Sequence, residues 1–218
     1  MSSGPLPLIK VIYRDGHFLA AHKPIDMVTY QDSKSQSEKN QSAFGLKELL
    51  EEQLTQRLFP VHRIDLDTSG VVLFALDSKS AASLVRLFKE HQVRKTYIAW
   101  CIGEIQAQGT IGSPLKKHKS ELKESARTDY SRIKIWKGFS QVKIFPQTGR
   151  FHQIRRHFES IRHPLVGDPK YGKSEDWGSF FKTTFKTAPR LMLQADAIEF
   201  FSPFNQKLIR IQTKEKLS

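Results

Sequence analysis

A short segment, residues 62–70 (HRIDLDTSG), places a carboxylate beside cationic and hydroxyl side chains, between a predicted helix and a predicted strand. Asp65 comes three residues after His62 and two residues after Arg63. A nearby cation such as this arginine helps a carboxylate to stay ionised. An ionised carboxylate can serve as a covalent nucleophile. The same residue types are also typical of a turn, in which Asp67 bonds to nearby backbone and Gly70 supplies an unusual φ. Taken alone, the segment favours the turn and leaves the nucleophile open.

A second segment, residues 147–157 (QTGRFHQIRRH), is basic and predicted to be helical. Gly149 permits a sharp turn into the helix. Arg155 stands next to Ile154 and so borders the apolar face, where a guanidinium is costly unless a carboxylate or phosphate meets it. The alternative interpretation is a solvated basic helix face that contacts phosphate loosely.

Two histidines in this segment, His152 and His157, raise the question of a metal site or of acid–base catalysis. Their i,i+5 spacing puts them about 140° apart on a helix, whereas the zinc motif HExxH uses i,i+4. The single cysteine, Cys101, cannot form a thiol cage. We therefore expect no metal site. A hydrolase or nuclease that uses both imidazoles as acid and base would need them to face one cleft, and the same spacing argues against it.

Two tyrosines lie in basic surroundings: Tyr97 follows Arg94 and Lys95, and Tyr171 follows Lys170. Aromatic side chains in strands are mostly core, with the hydroxyl satisfied by a hydrogen bond. The functional alternative is a platform on which an RNA base stacks.

Hydrophobic periodicity predicts the elements that carry these segments. Apolar–polar alternation and short apolar runs predict strands over residues 8–13, 17–22, 70–76, 97–102, 129–136, 139–145, 191–200 and 207–211. Three- and four-residue repeats predict helices over residues 43–58 with Ser42 as cap, over 79–91, and over 151–161 with a buried stripe of Phe151, Ile154, Phe158 and Ile161. Residues 31–42 and 116–126 are predicted loops, and the second either touches RNA or is merely solvated. Because hairpin-paired strands outnumber helices, we predict an α+β fold with a mixed, mainly antiparallel central sheet flanked by helices.

Charge is distributed unevenly along the 218 residues. The chain has 35 Lys and Arg against 22 Asp and Glu, for a formal net charge of +13. Residues 1–65 carry 8 basic and 8 acidic side chains, so the whole excess lies in residues 66–218. This asymmetry favours an extended anionic partner, with nucleic acid first. The alternative is a basic balance that serves solubility.

Targeting signals are not evident in the sequence. The longest apolar run, residues 71–76, is far shorter than the ~18–20 residues that span a bilayer. The N-terminus has no apolar stretch typical of a signal peptide. With one cysteine and no internal disulfide possible, we expect a reducing, cytoplasmic location.

Several of these segments together resemble the motifs of the RluA-type RNA pseudouridine synthases, in the order that this family has them. The segment HRIDLDTSG resembles HRLDxxTSG, and PQTGRFHQIRRH is similar to TGRxHQ(I/L)RxH. Further similarities are those of HKP to (N/H)KP, RKTY to K-x-Y, ARTDY to AxTxY, HPLVGDPKYG to HPIxGDxxYG, and RLML to the start of RLxLHA. Two departures are Ile64, where the family has Leu, and Gln194, where RLxLHA has His.

The resemblance implies a fold, an activity and a set of site residues. It implies one pseudouridine synthase domain over residues 1–218, in a short member without an appended RNA-binding domain. Asp65 matches the catalytic aspartate, Tyr97 the active-site tyrosine, and Arg155 the arginine that pairs with that aspartate. Arg63 matches an arginine that helps to hold the flipped nucleotide. We assign three further residues to binding the substrate: His62, Arg150 and Lys23.

The implied reaction turns uridine of tRNA, rRNA or both into pseudouridine and requires neither cofactor nor metal. We expect a monomer that binds RNA, with no obligate protein partner and no membrane contact. Asp65 acts as a nucleophile toward the ribose or the base, or as a base at the sugar. A non-catalytic RNA-binding module on the same fold is disfavoured, because Asp65, Tyr97 and Arg155 are all present.

Overall fold

The structure, a computed structural model, describes residues 7–31, 45–117, 120–172, 181–183 and 189–217. The chain divides into two compact units. The first contains Met1–Val93 and Ala197–Lys214, and the second contains Arg94–Asp196 and Glu215–Ser218. Each unit combines antiparallel strands with helices, which confirms the predicted α+β class.

The first unit is built on strands that pair in the order β1-β2-β4. Its elements are β1 (Val11–Arg14), β2 (Phe18–Lys23), α1 (Leu46–Leu54), β3 (Phe59–Pro60), β4 (Ser69–Ala75) and α2 (Ser78–Lys89). Strand β3 also pairs with β4, and all these pairs are antiparallel. Near its end, the chain adds β12 (Leu208–Gln212), which pairs with the last five residues of β11 (Leu193–Phe201).

The core of the first unit forms around β4, the central apolar run. Every residue of this strand is buried, as its continuous apolar sequence predicts. Helix α2 contributes Leu84 and Leu87 to the same core cluster. The helix starts at Asp77, whose Oδ1 accepts a hydrogen bond from the backbone N–H of Ser80 at 2.8 Å. This cap satisfies a backbone donor that the first turn of a helix leaves without a partner.

The second unit contains strands that pair in the order β5-β10-β9-β6. Its elements are β5 (Arg94–Ile102), β6 (Gln108–Ile111), β7 (Leu115–Lys116), β8 (Lys123–Glu124), β9 (Thr128–Trp136), β10 (Phe139–Pro146) and α3 (Gln153–Ser160). Strand β11 begins in this unit. The turn between β9 and β10 has φ of 48° at Lys137 and 78° at Gly138, the positive values that a tight two-residue hairpin needs.

Helix α3 packs against the strands of the second unit. Its residues Ile154 and Phe158 are buried in one cluster with Ala99 of β5 and with Val142 and Ile144 of β10. The apolar stripe predicted from the sequence is therefore correct for these two helix positions. The burial of Ile154 and Phe158 fixes the rotation of α3 about its own axis. It therefore also fixes the direction in which the Arg155 side chain leaves the helix.

Several boundaries differ from the predictions. Helix α1 ends at Leu54 and not at residue 58, because Thr55 takes a left-handed conformation. Helix α3 starts only at Gln153, since His152 has a φ of 50°. Phe151 therefore lies before the helix and is 39% exposed, so its assignment to the buried stripe is wrong. The predicted loop over residues 116–126 contains part of a two-stranded hairpin, β7 with β8.

The remaining strands of the prediction are confirmed with shifts of one to three residues at their ends. Strands β3 and β6 were not predicted, and two to four residues are too few to show a period. Ser42 and residues 32–42 of the predicted loop lie outside the described residues. Within the part of the chain that the structure describes, no helix is long and apolar enough to span a membrane.

Candidate active site

Asp65 lies in the loop between β3 and β4 of the first unit and is half-buried. The loop closes in a turn, in which the backbone N–H of Thr68 donates to the carbonyl oxygen of Asp65 at 3.1 Å. Gly70 follows with a φ of 121°, a conformation that favours glycine. The segment is thus a turn, as its residue types predict, and the turn fixes the backbone at Asp65.

Lys23, at the end of β2, forms a hydrogen bond to this loop. Its side chain is fully buried. The ammonium donates to the carbonyl oxygens of Pro24 at 2.8 Å, Met27 at 2.6 Å and Leu66 at 2.9 Å. An ammonium has three N–H donors, so these carbonyls use all of them. Lys23 therefore holds the loop that contains Asp65, and its burial and bonding argue against the RNA contact predicted from the sequence.

Burial lowers the pKa of Lys23 to about 8, although the negative charges of Asp67, Asp65 and Asp26 act in the opposite direction. The ammonium is thus a cation close enough to interact electrostatically with Asp65. Such a cation favours the ionised form of a neighbouring carboxylate.

Two further contacts fix the residues that precede Asp65. The backbone N–H of Ile64 donates to Thr29 Oγ1 at 3.3 Å, and the Thr29 hydroxyl lies 3.4 Å from the Ile64 carbonyl oxygen. His62 accepts a hydrogen bond at Nε2 from the backbone N–H of Leu73 at 2.9 Å, and its ring stacks on Phe88. His62 therefore also anchors the loop, to β4 and to α2.

Arg63 is the exposed cation of this loop. Its guanidinium carbon lies 5.9 Å from the centre of the Tyr30 ring, within the range of a cation–π contact. Because the side chain is exposed, it can meet a phosphate or a base.

In the second unit, Tyr97 lies on β5 opposite Ile144 of β10. Its ring packs at the border of the core cluster that includes Ala99 and Phe158, and it is half-buried. Tyr97 thus packs on the core while part of the residue stays accessible.

Helix α3 is held by Gln153, a buried residue to which the sequence assigned no role. Its amide oxygen accepts from the Thr148 hydroxyl at 2.6 Å and from the Arg150 backbone N–H at 3.0 Å. Its amide nitrogen donates to the Arg127 carbonyl oxygen at 2.9 Å and to Thr128 Oγ1 at 3.0 Å. All four hydrogen-bonding positions of the amide are used, so the turn before α3 is fixed to β9.

His157 continues this network at the other side of Thr128. Its Nδ1 lies 2.8 Å from Thr128 Oγ1, and its Nε2 lies 3.0 Å from the carbonyl oxygen of Ser113. A carbonyl only accepts, so Nε2 carries the proton and Nδ1 accepts from the Thr128 hydroxyl. Burial lowers the pKa of this imidazole, despite the opposing hydrogen bond to Ser113. His157 is thus a neutral, fully buried structural group.

His152, by contrast, contacts the ring of Phe151 and the hydroxyl of Tyr171, which lies 3.2 Å from its Nδ1. The two histidines have different surroundings, and both ring nitrogens of His157 are bonded within the protein. This arrangement argues against their acting as an acid–base pair. Among the described residues, no three His, Cys, Asp or Glu side chains are grouped so that they could hold a metal ion.

Arg155 is buried on α3, and a carboxylate meets it there as its position requires. The partner is Asp168: Arg155 Nε donates to Oδ2 at 2.8 Å, and Nη2 donates to Oδ1 at 2.8 Å. Both side chains are almost inaccessible, at 3% and 0% exposure. Asp168 had no predicted role, although it lies in the motif-like segment HPLVGDPKYG. The sequence offered one signal for this role: an arginine predicted at the border of an apolar helix face needs an anionic partner, and Asp168 is an acidic residue 13 positions later.

Arg150 lies three residues before the start of helix α3 and is half-exposed. Its Nε donates to the carbonyl oxygen of Ser125 at 3.1 Å, and its Nη1 lies 3.3 Å from Glu124 Oε1. These bonds leave part of the guanidinium accessible to a phosphate. Asp65 belongs to the first unit, whereas Tyr97 and Arg155 belong to the second, and the pairing of Asp65 with Arg155 stays a prediction.

Comparisons with known proteins agree with this architecture. Residues 17–160 match the family described as RNA pseudouridylate synthase. The chain is 32% identical to the tRNA pseudouridine synthase C of Vibrio vulnificus (strain CMCP6), over 95% of this chain and 91% of that protein. It is 34% identical to that of Vibrio parahaemolyticus serotype O3:K6 (strain RIMD 2210633), over 92% and 88%.

A solved structure is similar over nearly the whole chain. Human RNA Pseudouridylate Synthase Domain Containing 1 superimposes with a TM-score of 0.75 and 25% identity, covering 99% of this chain and 86% of that one. Human RNA Pseudouridylate Synthase Domain Containing 4 has a TM-score of 0.74, at 21% identity, and covers 94% and 88%. These similarities confirm the fold that the motifs imply.

Proposed function

The chain belongs to the RNA pseudouridylate synthase family, and from this membership we propose that its substrate is tRNA. It is an enzyme, an RNA pseudouridine synthase. The observation that carries the choice of tRNA is the identity of 32–34% to enzymes named tRNA pseudouridine synthase C, across about nine-tenths of both chains. This similarity extends over 95% and 92% of this chain.

The reaction is an isomerisation in which the N1–C1′ bond of uridine breaks and a C5–C1′ bond forms. The base turns between the two steps, C5 loses its proton and N1 gains one, so no atom is added or removed. A carboxylate, a proton path and a way to hold the detached base are the requirements. The target base must first leave the RNA stack, at a cost of a few kcal/mol.

We assign the essential carboxylate to Asp65. Attack on C1′, addition to the base and proton removal from the sugar are three routes for it, and each needs the ionised form. The nearby Lys23 ammonium favours that form, and the bonds of Lys23 and Thr29 to the loop support a fixed position for the carboxylate. Lys23 and His62 are accordingly positioning residues in this proposal.

Tyr97 and Arg155 complete the proposed catalytic group. Tyr97 stacks on the uracil, and Arg155 matches the motif arginine that pairs with the catalytic aspartate. We propose that residues 1–218 act as one catalytic domain.

We assign RNA binding to one exposed and one half-exposed arginine. Arg63 holds the flipped nucleotide and Arg150 contacts a phosphate. The +13 charge, concentrated after residue 65, offsets the cost of base flipping through phosphate contacts. The enzyme acts as a monomer in the cytoplasm, with no obligate protein partner.

The proposal is tested by tritium release from RNA labelled at C5 of uridine. Unmodified tRNA transcripts and rRNA fragments are incubated with the enzyme in parallel, and the RNA is sized afterwards. We expect release from tRNA with no change in RNA length. Release from rRNA alone would overturn the choice of tRNA, and shortened RNA would point to a nuclease. Mapping pseudouridines in total RNA of a deletion strain then identifies the modified position.

A further inference from the structure

The contact between Arg155 and Asp168 is a side-on fork, the most restrictive way in which a carboxylate can hold a guanidinium. Both bonds measure 2.8 Å, and they use the Nε and Nη2 atoms of Arg155. The planar guanidinium presents its donors along fixed directions. When Nε and Nη2 are bound, Nη1 lies on the side away from Asp168. One carboxylate thus determines the direction in which the rest of the group points.

Asp168 itself is held in place by its own loop. Its Oδ1 accepts hydrogen bonds from the backbone N–H groups of Lys170 at 2.9 Å and Tyr171 at 3.0 Å. Burial alone would raise the pKa of the Asp168 carboxyl, but the hydrogen bonds from Arg155 and from these backbone groups keep it below the usual value. The carboxylate is therefore ionised and fixed at ordinary pH.

A second contact confines the guanidinium from another direction. The Arg155 guanidinium carbon lies 5.3 Å from the centre of the Tyr171 ring, and arginine favours stacking on an aromatic face. The segment of residues 168–171 therefore provides both the carboxylate and the ring that hold Arg155. Together they leave the side chain little rotational freedom.

Stability alone does not account for such a pair. A buried ion pair is often no more stabilising than apolar residues of similar size, because two charges must leave water. An apolar side chain at residue 155 would continue the buried stripe of α3. The pair fits better a need for an arginine in one orientation.

We propose that Asp168 is a positioning residue of the reaction, which orients Arg155 toward the reacting groups without touching the RNA. This inference rests on the proposed function and extends it to a residue without an assigned role. It predicts that loss of Asp168 slows the chemical step while RNA binding is kept. A displacement of about 1 Å at such a group can cost on the order of 100-fold in rate.

The test is the substitution Asp168→Asn, which keeps the size of the side chain and an oxygen for the backbone N–H groups. An amide can accept only one of the two Arg155 bonds, because its NH₂ group donates. We expect kcat for pseudouridine formation in tRNA to fall at least about tenfold, with a KM within about threefold of wild type. The thermal midpoint of each protein is measured alongside.

Asp129→Asn is the matched control. Asp129 also pairs with an arginine of the second unit, Arg127, at 3.2 Å, but this pair is partly exposed. Its loss should leave kcat and KM unchanged, since exposed ion pairs contribute little.

Three outcomes of the Asp168→Asn assay are informative. A fall in kcat with folding and KM preserved supports the proposal. An unchanged kcat overturns it while the proposed function stands, and a variant that does not fold makes Asp168 a structural residue, which also overturns it. If the wild-type enzyme itself forms no pseudouridine in tRNA, the proposed substrate fails instead, and the kcat comparison is made on the RNA that is modified.

Discussion

The ammonium of Lys23 donates to the carbonyl oxygen of Leu66 at 2.9 Å, directly after Asp65 in the chain. The same group binds two carbonyls of the segment that follows β2. A buried cation thus links the end of β2 to the loop with the proposed catalytic carboxylate. Because burial lowers its pKa to about 8, this link depends on pH within an accessible range.

We predict that activity falls as the pH rises through about 8. A neutral amine has two N–H donors for three carbonyls and no charge beside Asp65, so the loop loosens. The measurement is kcat between pH 6.5 and 9.5 for the wild type and for Lys23→Met. The variant should have a low kcat without the decline centred near 8, and a wild-type rate that stays constant up to pH 9.5 would disprove the role of Lys23.

The stability contribution of Lys23 has the opposite sign. Its pKa is about 8 in the folded state, below the 10.5 of a free lysine side chain. Between these values the unfolded chain binds more protons, so this group's contribution to the free energy of unfolding increases with pH. Activity and stability should therefore diverge above pH 8, which separates loosening of the loop from general unfolding.

His157 predicts how the stability of the protein changes as the pH falls below neutral. Its folded pKa lies below the usual 6.5, so the unfolded chain takes up a proton first as the pH falls below 6.5. Stability from this residue is complete above 6.5 and is lost as the pH falls toward the folded pKa. The thermal midpoint of the wild type should decrease between pH 7.5 and 5.5 by more than that of His157→Gln.

Replacement of the exposed His91 is the control for the loss of a histidine outside the core. His91 has a φ of 56°, a conformation that asparagine tolerates, so His91→Asn should fold like the wild type. An equal pH dependence in wild type and His157→Gln would show that the buried imidazole is not responsible.

Local sequence rules predicted the parts of this fold in which neighbours in sequence are also neighbours in space. The β9–β10 hairpin is the clearest case, since Lys137 and Gly138 specify the turn between two alternating strands. The Asp65 segment was likewise correctly predicted as a turn that leads into a strand, although it follows strand β3 and not directly helix α1. In such segments the pattern and the turn residues agree, and distant contacts add little.

Residues whose role depends on distant partners could not be predicted in this way. Asp168 is 13 residues from Arg155, and Gln153 binds a strand 25 residues earlier in the chain. Phe151 fits the helical period, but the left-handed His152 ends that period one residue later. Lysine side chains usually lie at the protein surface. Only the three carbonyl partners of Lys23 in the folded chain show why this lysine is buried.

Tyr97→Phe separates two roles of the tyrosine. Stacking on a base is worth roughly 1–3 kcal/mol and needs only the ring, so RNA binding should be preserved. If the hydroxyl takes the C5 proton, the variant breaks the N1–C1′ bond but stalls before product. Tritium release and RNA affinity are measured together, and normal release by Tyr97→Phe would leave the tyrosine with stacking alone.

Arg155→Lys should severely reduce activity although the charge is kept. An ammonium cannot form the two-point fork with Asp168 and still present a second planar edge. Arg155→Met removes the partner of a buried carboxylate, and we expect a loss of about 3–5 kcal/mol in the free energy of unfolding. Denaturant unfolding and tritium release test both variants. Near-normal turnover by Arg155→Lys would show that only charge matters there.

The central claim is that Asp65 is the one essential carboxylate, and Asp65→Asn tests it most directly. The substitution keeps size and removes the negative charge, and Asp67→Asn in the same turn is the matched control. We predict no tritium release from C5-labelled tRNA with Asp65→Asn, RNA affinity close to wild type, and nearly normal release with Asp67→Asn. Substantial pseudouridine formation by Asp65→Asn would contradict the account.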